Sequence, residues 1–194
     1  MKEGIDLGII NAIDNSIISI IENSMHSYML DNIMPVITHL GGILIWIVIA
    51  VIFILTKKYR KYGVVLLVTL GACIVLGDLC IKPIVKRIRP CNVYDALNLI
   101  ISAPTGYSFP SGHSMRSFAA AVILLKANKK IGIPAFILAF LTAISRVYLY
   151  AHYFTDVFVG ALLGILCALC IYKLLIENDK VNKFLENKSP LLWG

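Results

Sequence analysis

Five apolar runs divide most of this chain and constrain what it can fold into. The runs cover residues 40–56, 63–81, 114–126, 131–147 and 154–176. A helix needs roughly 20 mostly apolar residues to cross the hydrocarbon of a bilayer, so each run is a candidate span. Of the 194 residues, 59% are hydrophobic and 15% are charged, which is more apolar surface than a soluble chain of this size can bury. The sequence therefore predicts an all-α, polytopic membrane helical bundle with five transmembrane helices.

Residues 5–24 show a different, amphipathic pattern. At helical spacing the isoleucines of this stretch fall on one side and its polar residues on the other. The apolar set is Ile9, Ile10, Ile13, Ile17, Ile20 and Ile21, and the polar set is Asn11, Asn15, Ser19 and Glu22. The pattern favours a helix that lies in the interface or against the bundle, and a sixth span shielded by its neighbours is the alternative. We therefore divide the chain into an N-terminal amphipathic segment (1–38), a transmembrane core (39–176) and a cytoplasmic C-terminal tail (177–194).

The distribution of Lys and Arg predicts how the bundle is oriented. If residues 57–62 face the cytoplasm, eleven of the 18 Lys and Arg residues lie on the cytoplasmic side. Six of the other seven cluster around three short segments, which this topology places together at the outer face. Membrane topology and an anionic headgroup or substrate thus account for the net charge of +7, and no nucleic-acid partner is expected.

The three segments carry cations that suit a phosphate group. The first, at 82–90, reads Lys-Pro-Ile-Val-Lys-Arg-Ile-Arg-Pro, and the second, at 110–113, reads Pro-Ser-Gly-His. The third, at 145–156, reads Ser-Arg, five residues, His, three residues, Asp. Lys82, Arg89 and Arg146 are permanent cations, and the planar fork of arginine matches phosphate oxygens two at a time.

The second and third segments also supply candidates for the chemistry itself. Ser111 is a candidate helix N-cap, and the N–H groups of Gly112 and His113 would then face an anion at the positive end of the helix. His152 and Asp156 would share a helix face, so that the carboxylate orients one ring nitrogen and leaves the other free for the substrate. His113 is a second imidazole that can act as general acid or base. With the cations, these residues predict phosphoryl transfer without a metal ion or a cofactor.

Each of these residues alone has a simpler explanation. Lys82 and Arg89 could be interfacial anchors, and the histidines could make packing or headgroup contacts. Those explanations do not predict the fixed spacings within three separate segments. The combined pattern therefore favours a phosphate site.

The three segments resemble the tripartite signature of the type 2 phosphatidic acid phosphatase superfamily, which reads Lys-x6-Arg-Pro, Pro-Ser-Gly-His and Ser-Arg-x5-His-x3-Asp. Every signature position is matched between residues 82 and 156, in the right order and spacing. The resemblance implies that His152 forms a phosphohistidine, that Asp156 orients it, and that His113 protonates the leaving oxygen and then activates water. It also implies which residues hold the phosphoryl oxygens, namely Lys82, Arg89, Ser111, Gly112 and Arg146.

Two charged residues outside the signature are candidates for supporting roles. Asp78 lies inside the second apolar run, where a charge is costly unless it is paired or hydrated. It stands four residues before Lys82 and is expected to hold that lysine, although a balance for Lys86 or Arg146 is the alternative. Arg116, one helical turn after His113, is a candidate to reach the second phosphate of a diphosphate.

The overall shape of the chain is similar to that of bacterial undecaprenyl-diphosphate phosphatases, which recycle the carrier lipid of cell-wall synthesis. This resemblance implies a lipid phosphatase of the plasma membrane with its active site on the outer face. Phosphatidylglycerophosphate and phosphatidate are the alternative substrates, because the signature residues recognise only the phosphate group and not the lipid that carries it. A non-catalytic protein that binds or transports phospholipid headgroups is the alternative from another class, and it would need the cations but not the two histidines.

Overall fold

Helices, joined by turns and loops, build most of the described part of the molecule. The computed structural model describes residues 8–93 and 99–188, and no strand occurs in those two ranges. The α-helices are α1 (Gly8–Ile20), α2 (Tyr28–Leu40), α3 (Ile43–Leu55), α4 (Arg60–Cys73), α5 (Lys82–Val85), α6 (Gly112–Ala127), α7 (Lys129–Tyr148), α8 (Phe154–Tyr172) and α9 (Asp179–Lys188). They are flanked by π-helical segments at Ile21–Met25, Ile74–Ile81 and Lys173–Glu177 and by 3₁₀ turns at Lys57–Tyr59 and Pro90–Asn92. The beginning of the predicted N-terminal segment and the end of the predicted tail lie outside the described residues.

The apolar helices confirm the membrane bundle but not the number of its spans. Three helical stretches in the described ranges are long and apolar enough to cross a bilayer: Lys57–Asn92, Lys129–Tyr148 and Phe154–Glu177. Helices α2 and α3 meet at 44° and would add a fourth if the bent pair is one span. The run at 114–126 falls in α6, which has only 16 residues. The count of five spans therefore stays a prediction.

Helix α6 forms the centre of the bundle. It packs against α3, α4, α7 and α8. Its middle consists of small or medium side chains that are completely buried, among them Ala119, Ala120, Ala121 and Ile123. The helices around it turn residues such as Leu44, Phe140 and Leu166 outward, where lipid can cover them.

Two glycines let α8 approach the start of α6 closely. A Cβ at Gly160 would lie 2.6 Å from the carbonyl oxygen of Ser111, and one at Gly164 would lie 2.1 Å from that of Met115. Small residues four apart permit this contact between membrane helices. At the end of the contact, the backbone N–H of Ser111 donates to the carbonyl of Asp156 at 3.0 Å. The close approach thus brings the second and third sequence segments together.

Replacing Gly164 with alanine is expected to lower the free energy of unfolding by about 1–3 kcal/mol, because the new methyl group meets backbone that cannot move aside. Thermal unfolding of the purified protein in detergent measures the change. Gly71→Ala is the matched control, since no described atom lies within 4 Å of a Cβ there, and alanine favours a helix. Equal unfolding temperatures for the two variants would contradict the close-packing argument.

Helix α1 packs on α8, but not through the side to which the sequence pattern assigned its isoleucines. It is not one of the long apolar spans found in the described ranges. Of the six isoleucines assigned to the apolar side only Ile21 is buried, while Ile9, Ile10, Ile13 and Ile20 are exposed, and the helix instead buries Ile18. The four polar residues assigned to the other side are exposed as expected. The sequence did not indicate Asp14, which is completely buried against the bundle.

Candidate active site

Backbone hydrogen bonds hold the three sequence segments together. The N–H of Cys91 donates to the carbonyl of Tyr150 at 3.1 Å, which joins the first segment to the third. The N–H of Ser108 donates to the carbonyl of Arg87 at 2.8 Å and joins the first segment to the approach of the second. With the Ser111 contact described above, all three segments meet in one place, as the predicted topology requires.

The turn that carries His152 is strained and well supported. Tyr150 has a φ of 55°, in the left-handed region that a bulky residue rarely adopts. Strain of this kind persists only where surrounding contacts fix the backbone, and it is concentrated at functional sites. The hydroxyl of Tyr150 is hydrogen-bonded to Nε2 of His26 at 2.8 Å, so the N-terminal segment is one of those contacts.

His152 and Asp156 do not share a helix face, contrary to the expectation from their spacing. His152 lies in the turn before α8, and Asp156 is in the first turn of that helix. Asp156 Oδ2 accepts the backbone N–H of Tyr153 at 3.0 Å in a capping box, which requires the helix to begin after residue 153. The two side chains still face each other, with 3.7 Å between His152 Nδ1 and Asp156 Oδ2.

The contacts of His152 define which ring nitrogen is free to react. Nη1 of Arg89 lies 3.1 Å from Nε2, and because a guanidinium can only donate, Nε2 is the acceptor and carries no proton. The proton of the neutral ring is therefore on Nδ1, which faces Asp156 and, at 3.4 Å, Ser108 Oγ. The lone pair of Nε2 thus points toward the cations.

Ser108 belongs to this arrangement, although sequence reasoning missed it. Its buried hydroxyl donates a short hydrogen bond to Asp156 Oδ2, the same oxygen that faces His152. Ser108 stands two residues before the second segment, where a serine in a loop has no distinctive pattern. Only the folded structure brings it to the carboxylate.

Arg89 and Arg146 are buried cations without a carboxylate partner among the described residues. Each is 5% exposed, and within the described ranges neither forms an ion pair with Asp or Glu. Arg89 donates to the carbonyls of Thr105, Gly106 and Ala151 as well as to His152. Nη1 of Arg146 donates to Thr38 Oγ1 at 2.9 Å, while its buried Nε has no hydrogen-bond partner among the described residues. Buried charge is costly when it is unpaired, so this arrangement favours an anion close to the two guanidinium groups.

Asp78 links Lys82 to Arg116. One carboxylate oxygen accepts from Lys82 Nζ at 2.6 Å and the other from Arg116 Nη1 at 2.8 Å. Neither Lys86 nor Arg146 is an ion-pair partner of Asp78 in the described part of the chain. The alternative that Asp78 balances the charge of one of those two residues is therefore wrong. The arrangement also holds the Arg116 guanidinium over Gly112, where a Cβ would lie 2.9 Å from Nη1.

The start of α6 has the predicted geometry. Ser111 is the N-cap, and its hydroxyl accepts the N–H of Ser114 at 3.5 Å. Gly112 is buried in the first turn, and His113 follows it, half-buried. His113 lies within electrostatic range of Arg146, Arg116, His152 and Lys82. The residues predicted from the three segments therefore lie close to one another, and their roles remain a proposal.

The comparisons with known proteins agree with this geometry. The sequence model of the PAP2 superfamily matches residues 58–180. The chain is 35% identical to Undecaprenyl-diphosphatase of Sulfolobus acidocaldarius over 136 residues, which cover 70% of this chain and 66% of that protein. It is 30% identical to Lipid A 4'-phosphatase of Bacteroides thetaiotaomicron over 156 residues, which cover 73% of this chain and 68% of that protein.

The fold is also similar to a solved membrane structure. The crystal structure of a transmembrane PAP2 type phosphatidylglycerolphosphate phosphatase from Bacillus subtilis matches with a TM-score of 0.75 and 27% identity, over 90% of each chain. The family match, the fold and the three segments all agree. The chain therefore belongs to the PAP2 superfamily of membrane lipid phosphatases.

Proposed function

We propose that this protein removes phosphate from undecaprenyl diphosphate through a phosphohistidine at His152, on the outer face of the plasma membrane. The observation that carries the proposal is the pair of buried guanidinium groups, Arg89 and Arg146, beside an unprotonated Nε2 of His152. A phosphoryl group supplies the anion that these cations lack, and its phosphorus then faces the nucleophile. A protein that only binds headgroups has no need of a histidine oriented in this way.

In the first half of the reaction, Nε2 of His152 attacks the terminal phosphorus. A bond forms between nitrogen and phosphorus, the bond from phosphorus to the bridging oxygen breaks, and undecaprenyl phosphate leaves. His113 donates a proton to the leaving oxygen. Asp156 stabilises the positive charge that the imidazole ring acquires, because its carboxylate faces the N–H at Nδ1, 3.7 Å away, and stays ionised.

In the second half, water attacks the phosphohistidine. His113, now unprotonated, takes a proton from the water as the bond between nitrogen and phosphorus breaks, and inorganic phosphate leaves. Throughout, five groups hold the phosphoryl oxygens as their charge shifts in the transition state. They are the side chains of Lys82, Arg89 and Arg146 and the N-terminal turn of α6 at Ser111 and Gly112.

Asp78 and Arg116 have supporting roles in this proposal. Asp78 orients the ammonium group of Lys82 toward the phosphate. Arg116 is held by the other oxygen of the same carboxylate, close to the first turn of α6, where it would contact the second phosphate of a diphosphate. If Arg116→Ala weakened the hydrolysis of mono- and diphosphates equally, this role would be wrong.

The choice of lipid rests on sequence similarity and on the predicted orientation. One similar protein is named Undecaprenyl-diphosphatase, and the Lys and Arg distribution favours a site on the outer face. Phosphate release by the purified protein, with a chelator present, tests the choice on undecaprenyl diphosphate, phosphatidylglycerophosphate and phosphatidate. The His152→Ala variant is measured in parallel.

The outcomes of that assay separate the alternatives. Release that requires His152 and is fastest on the diphosphate supports the proposal. Release that requires His152 but is fastest on a glycerophospholipid keeps the mechanism and replaces the substrate. No release from any of the three would favour headgroup binding, and loss of release with the chelator would contradict a reaction without a metal ion.

Burial sets the pH range in which His152 can attack. Loss of water around the ring lowers the pKa of His152 from its ordinary 6.5 to about 4, with Arg146 and Arg89 acting in the same direction and Asp156 opposing them. Because the protonated ring cannot attack, a lower pKa extends activity toward acid. We expect the acid limb of kcat/KM near pH 4, with little loss between pH 7 and about pH 5. A limb at pH 6.5 or above would contradict a buried, neutral nucleophile.

A further inference from the structure

The buried carboxylate of Asp14 has no place in the mechanism above. It lies on α1, outside residues 58–180 that match the family, and it is completely buried. Oδ1 accepts the backbone N–H of Thr155 at 3.0 Å, and Oδ2 accepts the Thr155 hydroxyl at 2.6 Å. Thr155 is the residue before Asp156, so α1 is attached next to the carboxylate that orients His152.

Arg87 connects Asp14 directly to Asp156. Its Nη2 donates to Asp14 Oδ2 at 2.6 Å and its Nη1 donates to Asp156 Oδ1, also at 2.6 Å. The guanidinium lies over the ring of Tyr153, 4.0 Å from its centroid. Two carboxylates at the two ends of one rigid fork fix the orientation of that fork. Arg87 therefore contacts Asp156 through Oδ1 alone and leaves Oδ2 for Ser108 and His152.

The charges in this group also depend on Asp14. Two carboxylates and one guanidinium have a net charge of −1, whereas Arg87 and Asp156 alone would have none. A cationic imidazole is stabilised by a nearby net negative charge and is not stabilised by a neutralised pair. Asp14 therefore offsets Arg87 and lets Asp156 act on His152 as a carboxylate.

We propose that Asp14 is a positioning residue for phosphoryl transfer, which holds Arg87 on Oδ1 of Asp156 and thereby preserves both the orientation of Oδ2 toward His152 and the negative charge of the carboxylate. The N-terminal helix thus completes the active site rather than only anchoring the chain in the interface. This inference rests on the proposed function of His152 and Asp156.

Asp14→Asn tests the inference, because asparagine keeps the shape of the side chain and removes its charge. We expect kcat/KM per active site, which reports the steps up to transfer onto His152, to fall by about tenfold. We expect the acid limb to move down by about half a pH unit, since a less negative surrounding disfavours the protonated ring. Active sites are counted from the phosphate trapped on the enzyme, so partial misfolding does not alter either value.

The acid limb of kcat/KM reports the protonation of His152, and the ionisable groups that face this ring are known. They are Asp156 of α8, Arg146 of α7, Arg89 of the first segment and His113 of α6. Asp14 does not contact the ring; it is linked to Asp156 through the guanidinium of Arg87 and through its hydrogen bonds with Thr155. The double variant Asp14→Asn with Arg87→Gln restores the net charge of −1, so its acid limb is expected to return to the wild-type position.

Glu22→Gln is the matched control, because it removes one carboxylate from the same N-terminal segment at an exposed position. The acid limb and the kcat/KM of this variant are expected to stay at wild-type values. If Asp14→Asn behaves like Glu22→Gln, or if the double variant fails to restore the limb, the inference is wrong while the proposed function stands. A wild-type protein that releases no phosphate would overturn both.

Discussion

Replacing Asp156 with asparagine is expected to lower kcat/KM by about a thousand- to ten-thousandfold. The neutral amide keeps the shape of the side chain, but it no longer provides a carboxylate for the proton on Nδ1 of His152 or for Arg87. In a comparable hydrolase arrangement, this exchange favours the wrong imidazole tautomer and costs about four orders of magnitude. The measurement is phosphate release at neutral pH, normalised to the amount of folded protein.

Two controls distinguish the Asp156 effect from a general loss of charge or stability. Asp179→Asn makes the same exchange at the exposed start of α9 and is expected to leave kcat/KM unchanged. Ser108→Ala removes a neutral donor from the same carboxylate and is expected to cost only about tenfold. A rate for Asp156→Asn within tenfold of wild type would contradict the orienting role.

The sequence predicted the residues of the candidate site better than their geometry. Fixed spacings within three segments were enough to select the cations and both histidines, because those spacings reflect local backbone geometry. The i, i+4 spacing of His152 and Asp156 was compatible with a shared helix face and also with a capping box. Only the position of the helix start, after Tyr153, decides between the two.

Contacts between distant parts of the chain could not be predicted in this way. Asp14 with Arg87 and Thr38 with Arg146 join residues that are far apart in sequence, and neither pair has a periodic signature. Asp14 lies among isoleucines on an amphipathic helix, where an acidic residue is ordinarily expected to face water. The apolar runs predicted the membrane bundle correctly, but hydropathy alone does not show that a 16-residue helix such as α6 lies at its centre.

Arg89→Lys is expected to lower kcat/KM by about a hundred- to a thousandfold, although the charge is conserved. The Arg89 guanidinium donates to three carbonyls and to Nε2 of His152 from three different nitrogens. A lysine has its donors at a single point, so it cannot span these acceptors and still direct a remaining N–H at a phosphoryl oxygen. A group that stabilises the transition state must also bind its analogue, and we therefore expect vanadate inhibition to weaken in parallel with kcat/KM.

The same Arg-to-Lys exchange at Arg60, at the other end of the bundle, is the control. It shows whether an effect at Arg89 comes from the planar guanidinium at that site or from any exchange of arginine for lysine. Arg60→Lys loses a hydrogen bond to the carbonyl of Ile54, at 2.9 Å in the wild type, and is expected to leave both kcat/KM and vanadate inhibition unchanged. If Arg89→Lys retained wild-type activity, a point charge would be sufficient at this position. The contacts of Arg89 would then serve the fold of the His152 turn and not the transfer of phosphate.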